Sequence, residues 1–397
     1  MVGILFLSGC GNLSEHVPKN SSSSTKLVNG RAGTVEMRSD SLQNIDSLIQ
    51  KGISLKAFPG AVVLVVRHGV VVKNSAYGFA AEYINGNFVK MANPVPMHTD
   101  TIFDIASLTK LFTAVAAMKL YEEGKLSLDM PVAKYIPQFA SHGKEKVTIR
   151  MLLTHTSGFE PGIPLWKENK SIDERIQTVY NHPLQNPPGT VYQYSDLNMI
   201  TLGKVIQTVS GEPLDEFIRR NITVPLRMKD TMFNPPASSR QRIAATEYQP
   251  WTKRGMVWGQ VHDENAWSLG GVSGHAGIFS TAYDLAIFSQ MILNGGSYDG
   301  VQILKPETVR LMEEVQTLAG HEHALGWEIN QPWYMGGLAS TETFGHTGFT
   351  GTSIVVDKKD DVICIFLTNR VHPVRTGPSI NPYRAGVADD VAQSIGK

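Results

Sequence analysis

Between Ala61 and Arg67 the chain reads AVVLVVR, between Val70 and Tyr77 it reads VVVKNSAY, and His68-Gly69 separates the two runs. Short β-branched runs on either side of a two-residue break predict a β-hairpin buried on at least one face. Just upstream the period is different. SLQNIDSLIQKGI follows Asp40 and carries apolar residues at Leu42, Ile45, Leu48 and Ile49, which predicts a capped helix with one buried stripe. Pro59-Gly60 divides this helix from the hairpin.

Far downstream, TSIVV from Thr352 and VICIFLT from Val362 flank the charged turn Asp357 to Asp361 and predict a second hairpin, with a final helix roughly from Tyr383 to Ile395. The middle of the chain is helical in pattern. Leu108 to Glu123 ends at Gly124, Ile200 to Val209 ends at Gly211, and Thr281 to Leu293 ends at Gly295-Gly296. Strands at both ends with helices between them imply an α+β fold, an antiparallel sheet flanked by helices with a mostly helical domain inserted. The expected sheet domain is 40–105 with 319–397, and the expected helical domain is 106–318.

Composition narrows the class. Apolar residues make up 42% and charged residues 18% of 397, below the roughly 25% charge of soluble domains, so the chain has a large core and is not disordered. Lysine plus arginine (36) balances aspartate plus glutamate (36) with no cationic block, so nucleic acid is not an expected partner. The chain has no apolar run of the ~20 residues that a membrane span needs.

The first residues need separate treatment. Within MVGILFLSGCGN, Leu7-Ser8-Gly9-Cys10 resembles the lipobox at which bacterial lipoproteins are cleaved and acylated on cysteine. That reading makes 1–9 a signal, Cys10 the lipidated residue and 10–39 a tether, with NSSSST at 20–25 too polar to bury anything. The expected location is extracytoplasmic, lipid-anchored or secreted, with membrane contact through the lipid alone. Met1 to Leu7 lacks the positive charge and long apolar segment of a secretory signal, so the natural start is expected upstream; the plainer alternative is an apolar N-terminus with an incidental cysteine. The other cysteine, Cys364, sits in an apolar run and is expected as a buried core thiol.

Candidate chemistry begins at DIASLTKLF. Ser-x-x-Lys occurs four times, at Ser23, Ser107, Ser141 and Ser394, and only Ser107 opens an apolar helix. There a hydroxyl and the Lys110 ammonium three residues on share a face, and the helix N-terminus favours developing negative charge. A neutral or partly desolvated Lys110 would take the Ser107 proton; the alternative has Lys110 reaching outward and Ser107 as a cap.

Two further patches weigh against that alternative: Tyr194-Ser195-Asp196 in PPGTVYQYSDLN, and His346-Thr347-Gly348 in FGHTGFTGTS. With SLTK, these three in this order resemble the serine β-lactamase and penicillin-binding protein family, class C-like branch. FDIASLTKLFTA, EEGKLSLDMPVAKYIPQF, TIRMLLTHTSGF and PPGTVYQYSDLNMITLG extend the resemblance from about Asp40 to the C-terminus. It implies the β-lactamase/transpeptidase-like fold and a serine hydrolase with Ser107 as the acylated nucleophile. Lys110 and Tyr194 would share its proton, and backbone N–H of Ser107 and Phe349 would form the oxyanion hole. Asp196, His346, Thr347 and Gly348 would contact substrate. Two positions depart from the pattern: Asp196 where many members have Asn, and His346 where many have Lys. A histidine donor is charged only below about pH 6.5, so carboxylate-bearing β-lactams are expected to bind weakly.

GQVHDENAWSLGGVSGHAGIFSTA, Gly259 to Ala282, and LTNRVHP, Leu367 to Pro373, resemble the subgroup of secreted N-acetylmuramoyl-L-alanine amidases and a related low-mass penicillin-binding protein. His262 and Asn265, with Asp263, Glu264 and His275, either bind a sugar peptide at the pocket rim or satisfy one another in a glycine-rich loop. His262, Asp263 and His275 also have zinc-ligand chemistry, but a serine mechanism already accounts for hydrolysis, and no metal or cofactor is expected. His155 is expected to be a structural loop histidine. Trp258, Trp267 and Trp333 stack on sugars or simply pack. The expected activity is acyl-enzyme hydrolysis of a peptidoglycan fragment or another small acyl substrate, first as a muropeptide amidase. The alternatives are an esterase, a D-alanyl carboxypeptidase or a weak β-lactamase, and, from a different class, a sensor module that binds penicillin or wall fragments.

Overall fold

The protein is described by a computed structural model that covers residues 25–317 and 322–397, so Cys10, the lipobox and nearly all of the polar tract lie outside the described residues. Both hairpins form. Gly60–Arg67 pairs antiparallel with Val70–Tyr83, Thr352–Asp357 pairs with Val362–Thr368, and the two hairpins join through Gly60–Arg67 and Val362–Thr368. Among the described residues the sheet has eight strands, with Thr343–Gly348 and Glu328–Ile329 at one edge and Val28–Asn29 at the other, while Lys90–Pro96 pairs with Val70–Tyr83.

Strand alternation accounts for both faces. Val62, Leu64 and Val66 point into the large core with the helical middle, whereas Ala61, Val63 and Val65 pack under Ser39–Ser54 and Asn381–Ser394. Cys364 lies on the second face opposite Val65, and burial pushes its thiol up to about 12.

The expected tether is too long. Val28–Asn29 pairs in parallel with Val70–Val71, and Leu27, Val35 and Met37 are buried, so residues 27–39 belong to the fold and not to a tether. Two paired residues have no readable period of their own, and the long-range partner decides their structure.

Where the helical middle begins, Phe103–Asp104 joins Ile278–Ser280 and Met232–Phe233 in a small three-stranded sheet that the sequence pattern does not announce. It holds the start of the Thr109–Glu122 helix. That helix is not one-sided, since nearly every residue from Thr109 to Leu120 is buried, as expected of a helix at the centre of a large core. Phe112 stacks on Phe288 of the Ala282–Leu293 helix at 4.3 Å.

Candidate active site

Ser107 sits in a single 3-10 turn, Ala106–Leu108, just before this central helix. Ala106 has φ 48, a left-handed conformation that costs a residue bearing Cβ roughly 1–2 kcal/mol. The buried Asp104 carboxylate holds the bend by accepting the Ala106 N–H at 2.9 Å and the His262 N–H at 2.6 Å. Burial raises the Asp104 pKa, and the His262 backbone bond works against that rise.

Lys110, 1% exposed, donates to Ser107 Oγ at 2.8 Å and to the His275 carbonyl at 3.1 Å, and its Nζ forms an ion pair with Asp196 Oδ1 at 2.8 Å. Burial alone would lower its pKa, but Asp196 and then Tyr194 outweigh it and hold the amine above its usual range. Of the two expected forms, neutral or partly desolvated, Lys110 is desolvated by burial but is not neutral. It is an ammonium, because the carboxylate at position 196 compensates its burial.

Tyr194 lies on the loop that enters the Asp196–Ser210 helix, with its ring 4.8 Å from Lys110 Nζ and its hydroxyl bonded to both Lys110 and Ser107. Burial raises the phenol's pKa and Lys110 opposes the rise. The loop is fixed from behind by His155, whose Nδ1 accepts the Ser195 N–H at 3.1 Å and whose ring lies 4.6 Å from that of Tyr194. Burial holds His155 neutral, well below its ordinary pKa, so it positions the loop.

His346 is on the strand Thr343–Gly348, and the strand meets the Ser107 loop through a glycine. A Cβ on Gly348 would stand 2.1 Å from Thr352 Oγ1 and 2.5 Å from the Ile105 carbonyl. Thr350 Oγ1 donates to the Asp104 carbonyl at 2.7 Å and Thr352 Oγ1 to the Ile105 carbonyl at 3.2 Å, which brings the Phe349 backbone alongside that of Ser107. Nδ1–H of His346 donates to the Thr347 carbonyl at 2.7 Å, and Nε2 is buried without a partner. Burial, then Lys110, depresses its pKa to about 3. The expected donor role is corrected as well: neutral His346 offers an acceptor at Nε2.

Ser107, Tyr194, His346, Thr347, Gly348 and Phe349 line one cavity of about 460 Å³, so three distant segments converge on one oxygen. Two cations that sequence reasoning missed share it. Arg384 is 7% exposed and donates to the Gly348 and Thr352 carbonyls at 2.7 and 3.0 Å, while Arg370 lies 5.8 Å from the Phe349 ring. The only signal for them was the Arg in LTNRVHP and a polar residue on the inner face of the last helix. A cavity of about 510 Å³ around Arg219, Met228 and Phe233 shares no lining residue with this one.

The Gly259–Ala282 stretch lies behind the site. His262 is 3% exposed, its Nε2 is 2.8 Å from Glu247, and its ring stacks on Phe349 at 5.6 Å, so of the two expected roles it does not take the one at the rim. Asn265 donates to the Ile163 carbonyl at 2.8 Å. The His262, Asp263, His275 grouping is also corrected: among the described residues Asp263 and His275 gather with Asp196, their ligand atoms within 4.8 Å of one another. His275 Nε2 lies 2.8 Å from Asp263, and Lys110 already neutralises Asp196.

Comparison with known proteins places the chain in a family and a fold. A family model described as Beta-lactamase matches residues 45–389. A protein of Escherichia coli (strain K12) named "Putative D-alanyl-D-alanine carboxypeptidase" is 37% identical over 377 residues, 86% of this chain and 85% of the relative. A Salmonella agona protein of the same name is 35% identical over 389 residues, 90% of this chain and 89% of its own. Among solved structures, a class C beta lactamase superposes with TM-score 0.72 at 21% identity, covering 90% of this chain and 98% of its own. EstCE1, described as a hydrolase with promiscuous acyltransferase activity, does so with TM-score 0.71 at 22% identity, covering 89% and 99%. At such identities the structural likeness is one of fold.

Proposed function

The chain belongs to the β-lactamase family of serine hydrolases, and we propose that it hydrolyses a peptidoglycan fragment through an acyl-enzyme at Ser107, preferring the amide between N-acetylmuramic acid and L-alanine. The observation that carries the reading is the contact of Ser107 Oγ with Lys110 at one wall of a cavity that holds an unpartnered acceptor, His346 Nε2. An acceptor beside the nucleophile suits an amide N–H on the substrate and not a carboxylate.

The proton path follows from the contacts. Asp196 takes one proton from the Lys110 ammonium, and the freed amine takes the Ser107 proton as Oγ bonds to the substrate carbonyl carbon. The oxyanion forms against the Ser107 and Phe349 N–H groups. Tyr194 gives its proton to the leaving nitrogen as the C–N bond breaks, and Lys110 then Asp196 return the borrowed protons. The serine proton thus ends on the released amine, and water repeats the sequence to free the acid. Such proton transfers typically contribute about 10²- to 10⁴-fold in rate.

A second reading, a D-alanyl carboxypeptidase, is favoured by the names of the relatives and by Arg370 and Arg384, which suit a terminal carboxylate. Digestion of N-acetylmuramoyl-peptide, with Ser107→Ala alongside, separates the two. Released L-alanyl peptide supports the amidase, and released D-alanine supports the carboxypeptidase. Neither product, beside steady ester turnover, would leave an esterase. Stoichiometric penicillin labelling without any turnover would make it a sensor. We also propose that Cys10 carries a lipid and holds the enzyme outside the cytoplasm, which the intact mass of the native protein tests.

A further inference from the structure

Beside the short helix Glu264–Ser268 the surface opens into a second groove, of about 920 Å³, lined by Trp166, Trp251 and Trp267. Trp251 and Trp267 are 45% and 36% exposed, an unusual density of indole surface for one patch. Each ring is held in place. Trp251 donates Nε1–H to Glu264 at 3.1 Å and lies 5.0 Å from the Arg375 guanidinium, Trp267 lies 4.6 Å from that of Arg254, and Trp166 lies 5.5 Å from the Lys167 ammonium. Fixed aromatic plates lose little conformational freedom when a ligand arrives.

The groove is mechanically tied to the nucleophile. Asp263 caps the helix that carries Trp267 one turn later, about 5.4 Å of rise, and its carboxylate is within 4.8 Å of that of Asp196, the partner of Lys110. The side chains of Asp196 and Asp263 are 30% and 31% exposed. We infer that this groove binds the saccharide of a wall fragment whose peptide occupies the Ser107 cavity. A pyranose presents an apolar C–H face to an indole and hydroxyls to a polar rim, which Glu168, Asn169 and Lys253 along the groove supply. The choice of ligand rests on the proposed wall-fragment reading.

The test is titration of the Ser107→Ala protein with peptide-free N-acetylglucosaminyl-N-acetylmuramic acid, followed by tryptophan fluorescence. Saturable binding is expected, weakened roughly tenfold or more by Trp251→Ala with Trp267→Ala and retained in Trp267→Phe, because stacking needs an aromatic face. Unchanged unfolding midpoints establish that the variants are folded. In the active enzyme the double change should raise KM for a saccharide-bearing muropeptide far more than it lowers kcat. Absence of disaccharide binding at several millimolar, or binding indifferent to both tryptophans, overturns the inference. The amidase reading can fail separately: tryptophan-dependent disaccharide binding without amide cleavage keeps the groove and removes the reaction. Cleavage with a KM indifferent to the tryptophans does the opposite.

Discussion

Asp196 Oδ1 lies 2.8 Å from Lys110 Nζ, and this contact raises the Lys110 pKa against the pull of burial. Asp196→Asn removes the largest influence that holds Lys110 protonated and leaves burial, which lowers its pKa. It also removes the carboxylate that would accept the ammonium proton. The expected result is a drop in ester or amide kcat/KM of about tenfold or more at neutral pH, recovered as pH rises and Lys110 sheds its proton unaided. A pH–rate profile measures this, and an unchanged or faster variant at pH 7 would reduce Asp196 to a clamp. The Lys110 pKa is raised on folding, so the pair's stabilisation is complete below about pH 10.5 and is lost only as pH climbs through the folded value. At pH 7 the variant should therefore also lose stability, by about 1–3 kcal/mol, less than for a fully buried pair because Asp196 is 30% exposed.

Local spacing made Ser107 and Lys110 legible, because three residues on a helix is a geometric statement in itself. Tyr194, Asp196 and His346 were reachable only through the resemblance that joined three remote segments. What stayed hidden depends on partners far along the chain. His262 reads as a polar rim residue until Glu247, 15 positions away, is found against its ring. The resting charge of Lys110 needs the distance to Asp196, and the His346 tautomer needs the Thr347 carbonyl. Arg384 gives no local sign that its guanidinium reaches back to the Gly348 and Thr352 carbonyls.

His346 should not respond to pH in the working range, since burial and Lys110 press its pKa to about 3. Nitrocefin acylation by the natural protein is expected to be slow and to gain nothing from His346 protonation between pH 8 and 5. His346→Lys supplies a cation where Nε2 offers only a lone pair, and should raise the acylation rate for carboxylate-bearing β-lactams by about tenfold. Stopped-flow measurement with nitrocefin reads the change. No gain in a folded variant would mean that Arg370 and Arg384 already hold the carboxylate.

Buried neutral histidines also shape acid stability. His323 and His372 are depressed to about 4, His346 to about 3, and His155 well below its ordinary value, in each case chiefly by burial. Unfolding at pH 5 to 6 lets all four take protons near their ordinary pKa of about 6.5. Three buried carboxyls act in the opposite sense: Glu328 is raised to about 7, Asp284 to about 6, and Asp104 is also raised, so the folded state binds extra protons there. The four histidines outweigh the partly titrated carboxyls, so the unfolded chain binds more protons and stability should fall as pH drops from 6 to 5. Urea midpoints at pH 7, 6 and 5 measure the slope, and a flat or rising stability toward pH 5 would contradict this balance.

Gly348→Ala separates catalysis from folding more sharply than any change to a charged group. The added Cβ would stand 2.1 Å from Thr352 Oγ1 and 2.5 Å from the Ile105 carbonyl, so the strand must move off the nucleophile loop or Thr352 must lose its bond to Ile105. Ser107, Lys110 and Tyr194 are untouched, because none of them is held by this strand's side chains. The Phe349 N–H, one residue further, would be displaced from the developing oxyanion. Losing one such donor typically lowers kcat by roughly 10²- to 10³-fold, while overpacking a single methyl costs about 1–3 kcal/mol of stability. The expected signature is a folded protein whose Lys110-dependent pH profile keeps its shape and whose kcat falls by at least about a hundredfold. Near-normal turnover in this variant would show that Phe349 N–H has no part in stabilising the oxyanion.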